Sequence, residues 1–490
     1  MRWTVEQTSK ALGVPAPAGL DPMARLAGVS IDSRTLRPAE LFIAIHGPRH
    51  DGHAFVAAAL GAGALAGVVA RGRVPEYPAE LQARLFAVDD TLAALHRLAS
   101  RACEVWRRAG SGRLIAAVAG SVGKTTTKEI LAALVGARFR VLKTEGNLNN
   151  EYGLPLTLLR LDHEHDAAVL ELGMSHRGEL AQLTRICSPD VGVITRVAIE
   201  HLEFFPSIDD IALAERELIE HLPWPKATAV LNSDDERAAS FAQVARGNVV
   251  TFGTRPPAEF RAEAIEERGL EGSSFDFSWP AGRTRLELPL IGRHNVMNAV
   301  ASLAASSLWG IGAQEAREVF STLKPADKRG EVVRFEDGFS LINDSYNSSP
   351  AALTALMELL AATPGYRRRI LAAGEMLELG PRSPELHREC GRAAANLGMD
   401  WIFGVQGQAA EFLRAAIDAG HPAGRARYFA SSEEAAEFLK TFLSRGDLLL
   451  LKGSRGVRME RILEALDTEH HRVIPLTPPH QVASSRRGRD

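Results

Sequence analysis

The stretch Gly120-Ser121-Val122-Gly123-Lys124-Thr125-Thr126 has the residue types and spacing to hold a polyphosphate. Its two glycines would let backbone N–H groups close on phosphate oxygens, and a helix starting there would add positive potential. Lys124 would sit against the β- and γ-phosphates, and the Thr125 hydroxyl would face a magnesium ion. The apolar run 114–119 before it reads as a buried strand, and 127–134 carries a helical pattern. The bland alternative is a glycine turn between strand and helix; Gly-Lys-Thr-Thr in this context favours the phosphate loop. Position 118 is Val, so the loop is one residue shorter at its front than the GxxxxGK[ST] form.

Further candidate groups stand at the ends of later apolar runs. Glu171 closes the run 167–172, and His201 and Glu203 follow the run 191–197. A carboxylate and a neutral imidazole at strand tips near a phosphate loop suit magnesium and phosphate chemistry. The other reading of Glu171 is an ordinary surface carboxylate. Between the two runs, 144–153 is rich in amide side chains, among them Asn147, Asn149 and Asn150. In 208–222, Ile208, Ile211, Leu218, Ile219 and Leu222 share one helical face. Glu215 falls in the middle of that face; Asp210, Arg216 and Glu217 fall outside it. A carboxylate on a packed face costs free energy unless it is paired or binds a metal. Glu215 is therefore either metal-directed or an edge residue reaching water. His294 and Asn295 open a helix running to about 308, as caps or as contacts to a nucleotide base. Ser33 and Arg34 are a weak signal, and a surface salt-bridge arginine is the plain reading.

The elements that must position these groups form an α/β pattern. A chain of 490 residues exceeds one hydrophobic core, so several domains are expected. A net charge of -3 argues against a general nucleic-acid binder. Three widely spaced cysteines give no disulfide framework or zinc cluster and suit a reducing compartment. No apolar run could span a bilayer and the first residues lack a signal-peptide core, so a cytoplasmic protein without membrane insertion is expected. Residues 1–109 read as a small α/β domain with short strands near 29–31, 41–45 and 67–70, helices at 55–62 and 91–108, and a Gly110-Ser111-Gly112 linker after them. In 110–325, strands at 114–119, 139–143, 167–172, 191–197 and 228–232 alternate with helices, as in a parallel sheet with crossover helices. Residues 255–290 read as a small β excursion. A second alternation fills 326–468, with strands at 332–335, 339–343, 369–373, 401–405 and 447–451. Residues 469–490, rich in Pro, Ser and Arg, read as a solvated tail. Ligands of such sheets gather at the C-terminal ends of the strands. In the last domain that end carries three polar loops, which begin at Asp344, Gly374 and Lys452.

The motifs GSVGKTT, GNLNNEYGLP (Gly146 to Pro155), ELGMSHRGE (Glu171 to Glu179), DSYNSSP (Asp344 to Pro350) and GEMLELG (Gly374 to Gly380) occur in that order over nearly the whole chain. On them the sequence resembles the Mur ligases. The last four are most similar to the branch that adds D-alanyl-D-alanine to UDP-N-acetylmuramoyl-tripeptide in peptidoglycan synthesis. The resemblance implies three domains: an N-terminal UDP-sugar domain, a central P-loop ATP-binding domain, and a C-terminal Rossmann-like domain that closes over the site. It implies that ATP phosphorylates the terminal carboxylate of the substrate. The dipeptide amine then attacks the acyl-phosphate, giving the pentapeptide, ADP and phosphate. Gly120, Ser121, Val122, Gly123, Lys124, Thr125 and Thr126 would hold the ATP phosphates, with Asn295, Arg329 and Asp344 as further ATP contacts. Thr125, Glu171 and His201 would be Mg2+ ligands. Ser33, Arg34, Asn147, Asn149, Asn150, Tyr346, Asn347, Lys452 and Ser454 would lie along the substrates. A monomer is expected.

The sequence departs from the pattern at Ala214-Glu215-Arg216-Glu217, where Mur ligases usually carry a lysine carbamylated by carbon dioxide. Glu215 is expected to supply that carboxylate directly, as a metal ligand and as part of a catalytic set with Lys124, Glu171 and His201. Its shorter reach then calls for a bridging water or a shifted helix. Glu375 stands where Asp is usual, and Lys328 where Gly usually precedes the arginine. A sister ligase for a diamino acid would carry an Asp-Asn-Pro-Arg motif, which is absent. A P-loop motor or switch would carry a Walker-B aspartate where this chain has Glu171.

Overall fold

The computed structural model describes residues 3–47 and 50–473. The chain divides into two compact units. The first holds residues to 326 together with 349–355 and 378–383; the second holds 327–348, 356–377 and 384 onward.

The first unit contains two sheets. In the smaller one, β1 (Val29–Ser30), β2 (Leu41–Ile43), β3 (Ala66–Ala70) and β4 (Leu85–Val88) lie side by side, all parallel. The fourth strand escaped the sequence pattern. Phe42, Val56, Leu60, Val69 and Leu85 form its core. The helix Thr91–Arg108, capped by the Asp90 carboxylate on two backbone N–H groups, follows. It is amphipathic, and its polar edge reaches the next sheet. Trp106 Nε1 donates to the His165 carbonyl at 2.9 Å, Arg107 holds Asp190 at 2.8 Å, and His96 Nε2 donates to the Glu151 carbonyl at 2.8 Å. These bonds tie the residues before Gly110 to those after it, within one unit.

The larger sheet has nine strands: β5 (Leu114–Ala119), β6 (Val141–Lys143), β7 (Ala167–Glu171), β8 (Val191–Ile194), β9 (Thr228–Asn232), β10 (Asn248–Gly253), β11 (Phe260–Glu267), β12 (Ser273–Trp279) and β13 (Gly282–Leu288). Their order is β13-β12-β11-β10-β9-β8-β5-β7-β6. Pairs from β6 across to β11 are parallel, and β12 pairs antiparallel with both β11 and β13. The expected β excursion is therefore the antiparallel edge of this same sheet. Val118 on β5 pairs with Glu171 on β7 on one side and Val193 on β8 on the other. Chain order reverses around β5, so the loops after β5, β7 and β8 open into one crevice. The helices Lys124–Gly136 and Arg293–Ser306 pack together, with Ser302 Oγ donating to the Thr127 carbonyl at 3.0 Å. The second is buried on almost every side, its small Ala and Ser side chains letting it sit deep and its Asn295, Asn298 and Ser302 each hydrogen-bonded.

The second unit holds one sheet: β14 (Glu331–Arg334), β15 (Ser340–Asp344), β16 (Arg368–Gly374), β17 (Trp401–Val405), β18 (Ala426–Phe429) and β19 (Asp447–Lys452). The order is β14-β15-β19-β16-β17-β18, and every pair except β14–β15 is parallel. Phe339, Leu341, Phe403, Phe429 and Leu449 belong to its core. The start of the expected tail is structured instead. Glu469 ends a helix, and 470–473 run along β14, with Val473 N donating to the Arg334 carbonyl at 2.7 Å. The rest of that tail, 474–490, lies outside the described residues. Among the described residues no helix is long and apolar enough to cross a membrane.

Candidate active site

The phosphate-type loop forms as its sequence requires. Gly120 and Gly123 adopt φ of +119° and +95°, which side chains disfavour. Each also lacks room: an added Cβ would stand 2.3 Å from Thr195 Oγ1 at Gly120 and 2.3 Å from Asn298 Oδ1 at Gly123. Ser121 N donates to the Arg196 carbonyl at 2.7 Å, which fastens the loop to the end of β8. Lys124 opens the following helix. Its Nζ donates to the Gly120 carbonyl at 2.6 Å and the Ser121 carbonyl at 3.2 Å. Val122, Thr125 and Thr126 are half-buried. The Ser121 hydroxyl is buried with no hydrogen-bond partner, so the loop holds an unused polar group of the kind a ligand satisfies.

Glu171 ends β7 and is only 3% exposed, so the surface-carboxylate reading fails. Its Oε1 accepts from Asn149 Nδ2 at 2.8 Å, while its Oε2 is buried with no hydrogen-bond partner. An orphaned carboxylate oxygen in that crevice fits a divalent cation. The three amides of the next loop differ in use. Asn149 holds Glu171, Asn150 Oδ1 accepts from Tyr152 N and Gly153 N at a helix start, and Asn147 is exposed.

Glu215 projects from the helix Ile208–Glu220, is 2% exposed, and accepts from Gly120 N at 2.7 Å through Oε2. The water-reaching reading of Glu215 therefore fails. Burial pushes its carboxyl up to about 7, against the pull of Lys124, and Glu200 and His201 are its other charged neighbours. Glu217, placed off the packed face by periodicity, is buried too. It accepts from Gly178 N and Ala181 N at the start of the helix Glu179–Cys187, whose first N–H groups need acceptors.

His201 lies in a turn at φ of +51°. Its Nδ1 stands 2.5 Å from Glu378 Oε2, in the segment 378–383 of the same unit. Burial would lower the imidazole pKa, but the Glu378 bond and the Glu200 charge outweigh it and raise it. Asn295 is buried and donates from Nδ2 to the Ile291 carbonyl at 2.9 Å, and its Oδ1 accepts from Asn298. Its side chain caps no helix N–H, so the capping alternative is set aside. Glu200, beside His201, was not singled out by pattern; it lies 3.6 Å from Lys124 Nζ.

Near the first sheet, Arg34 forms a two-point pair with Asp32 at 2.9 and 2.7 Å and is largely exposed. The Arg34 hydrogen bonds hold the Asp32 carboxyl down at about 2. The surface salt-bridge reading describes this arginine as it stands. Ser33 is half-buried beside it.

In the second unit, Arg329 lies 4.3 Å over the Tyr346 ring, and Arg455 5.5 Å from its centre. Lys452 is not a surface contact. It is 1% exposed and donates to Asp344 Oδ2 and to the Asn347 carbonyl, so it stands behind the 344–350 loop. Burial lowers its pKa against the attraction of Asp344. Ser454 Oγ accepts from Leu377 N at 2.9 Å, and the Asn347 side chain is exposed. Among the described residues, no three His, Cys, Asp or Glu side chains converge as a ready metal cluster.

Three family descriptions match the chain: Mur ligase family, catalytic domain, over residues 25–102; Mur ligase middle domain over 118–306; and Mur ligase, glutamate ligase domain, over 328–455. The chain is 35% identical over 439 residues to the UDP-N-acetylmuramoyl-tripeptide--D-alanyl-D-alanine ligase of Bacillus subtilis, covering 90% of this chain and 93% of that protein. A crystal structure of MurF from Acinetobacter baumannii superposes with a TM-score of 0.83 at 28% identity, covering 95% of this chain and 99% of that one. MurF ligase from Thermotoga maritima, solved in complex with ADP, gives 0.77 at 29% identity, covering 90% and 97%.

Proposed function

The chain belongs to the Mur ligase family, and from that premise we propose that it joins D-alanyl-D-alanine to UDP-N-acetylmuramoyl-tripeptide, converting ATP to ADP and phosphate. The observation that carries this reading is that the likeness to ligases of that name covers 90% of the chain. The substrate lobe is 1–109, the ATP lobe 110–325 and the third lobe 326–468. The reaction belongs in the cytoplasm, where ATP is available, and the chain acts as a monomer.

A carboxylate is a poor acceptor for an amine, and phosphorylation gives it a leaving group. The terminal carboxylate of the tripeptide attacks the γ-phosphorus, and ADP departs. The dipeptide amine then attacks the acyl carbon of the resulting acyl-phosphate, loses its proton, and phosphate departs. Gly120 to Thr126 offer backbone N–H groups to the ATP phosphates. Lys124 exchanges the Gly120 and Ser121 carbonyls for phosphate oxygens. Asn295, Arg329 and Asp344 contribute to nucleotide binding. Thr125, Glu171, His201 and Glu215 would hold Mg2+, which neutralises phosphate charge when bound. Asn149 orients Glu171 through its amide. Ser33, Arg34, Asn147, Asn150, Tyr346, Asn347 and Ser454 serve the substrates, with Lys452 holding the 344–350 loop that carries Tyr346 and Asn347. Catalysis of this kind is mainly positioning and charge stabilisation.

The test is phosphate release from ATP with UDP-N-acetylmuramoyl-tripeptide, with and without D-alanyl-D-alanine. Release is expected only when the dipeptide is present, with a pentapeptide product by mass. Release indifferent to the dipeptide would mark a plain ATPase.

A further inference from the structure

Two carboxylates come from the strands on either side of β5. Glu171 ends β7, and Glu200 follows β8. Glu171 Oε2 and Glu200 Oε1 are both buried without a hydrogen-bond partner, and Glu171 is only 3% exposed. Glu200 Oε1 lies 3.6 Å from Lys124 Nζ and its Oε2 lies 3.8 Å from His201 Nε2. Leaving such oxygens without a hydrogen bond costs free energy that a bound ligand recovers. Glu215 is differently placed, because its Oε2 is already committed to Gly120 N–H at 2.7 Å.

A polyphosphate entering beside Lys124 would bring further negative charge next to the Glu171 and Glu200 carboxylates. Lys124 and His201 are the cationic side chains that act on Glu215 there, and a triphosphate carries more negative charge than those two supply. A divalent cation between carboxylate and phosphate relieves that repulsion, and oxygen donors are the ligands it takes.

We propose that Glu200 is a further catalytic residue, a carboxylate ligand to the divalent cation that accompanies ATP, acting beside Glu171. The proposal rests on the ATP-dependent ligase reading. It differs from a simpler role in which Glu200 is only the counter-ion of Lys124.

The experiment uses the full chain carrying Glu200→Gln, with Glu200→Asp beside it. Mn2+ binding is measured by electron paramagnetic resonance in the presence of a non-hydrolysable ATP analogue, and kcat and KM for ATP are measured across Mg2+ concentrations. With Glu200→Gln, Mn2+ affinity should fall about tenfold or more and the half-saturating Mg2+ should rise in step. KM for ATP at saturating Mg2+ should change little. Glu200→Asp, which keeps the charge, should retain more of the Mn2+ affinity, and it keeps the test open if the glutamine variant fails to fold. Unchanged Mn2+ affinity in Glu200→Gln would overturn the proposal. So would unchanged Mn2+ affinity joined to tighter metal-free binding of the analogue, the signature of a released Lys124. Wild-type phosphate release with and without the dipeptide, run in parallel, separates failure of the ligase reading from failure of this one.

Discussion

At the scale of single residues, Glu215 carries two tests. An isolated glutamate binds its proton only below about 4.5, whereas the buried Glu215 holds one up to about 7. Between those values the folded chain binds more protons than the unfolded chain, so stability falls as pH rises through that window. The gap corresponds to about 3 kcal/mol as an upper value. Urea unfolding in EDTA without nucleotide should show this loss in the wild type. Glu215→Gln keeps an oxygen for Gly120 N–H but cannot ionise, so its profile should lack the part of this fall that belongs to Glu215; parallel profiles would refute the account. The second test concerns activity. A side-chain carboxylate needs no carbon dioxide, so ligation should be indifferent to bicarbonate, and Glu215→Ala should be nearly inactive. Wild-type turnover in that variant would remove Glu215 from the site.

At the scale of elements, the close seating of the phosphate loop against the helix Arg293–Ser306 governs the crevice. Gly123 has both a positive φ and the Asn298 amide 2.3 Å from where a Cβ would stand. Gly123→Ala should therefore destabilise the protein by about 1–3 kcal/mol, from backbone strain and overpacking together. Adding Asn298→Ala clears the space but leaves the strain, so it should recover part of that loss in urea unfolding. Full recovery would mean that φ contributes nothing, and no recovery would mean that the contact contributes nothing. The loop itself was legible in sequence because strand, glycines and helix are contiguous, and Glu215 was legible because one helix face has a fixed period. Glu217 was not, since its burial answers the N–H groups of a different helix. Glu200 was missed, and the burial of Lys452 went unseen, for the same reason: their surroundings come from residues far along the chain. The four-residue strands β4 and β18 are too short to show an alternation, and β18 is half exposed.

At the scale of the whole molecule, the cores are separate. The large sheet gathers Val118, Ile130, Phe275 and Val300 into one cluster, and the last sheet gathers Phe339, Phe403, Phe429 and Leu449 into another. Cooperative unfolding follows the connectivity of such cores, and chains with several of them commonly unfold in more than one step. The tryptophans make this testable. Trp3, Trp106, Trp224, Trp279 and Trp309 belong to the first unit, and Trp401 alone to the second, out of 6 in the chain. Tryptophan fluorescence therefore follows mainly the first unit, while far-ultraviolet circular dichroism follows both. The two melting curves should not superpose, and calorimetry should show more than one transition. A magnesium–nucleotide complex at about a hundred times its Kd should stabilise the state that binds it by about 2.7 kcal/mol. Because the phosphate loop lies in the first unit, the fluorescence transition should rise by several degrees. One coincident transition by every probe would show that the cores act as one, and an unmoved fluorescence transition would take the nucleotide away from Lys124.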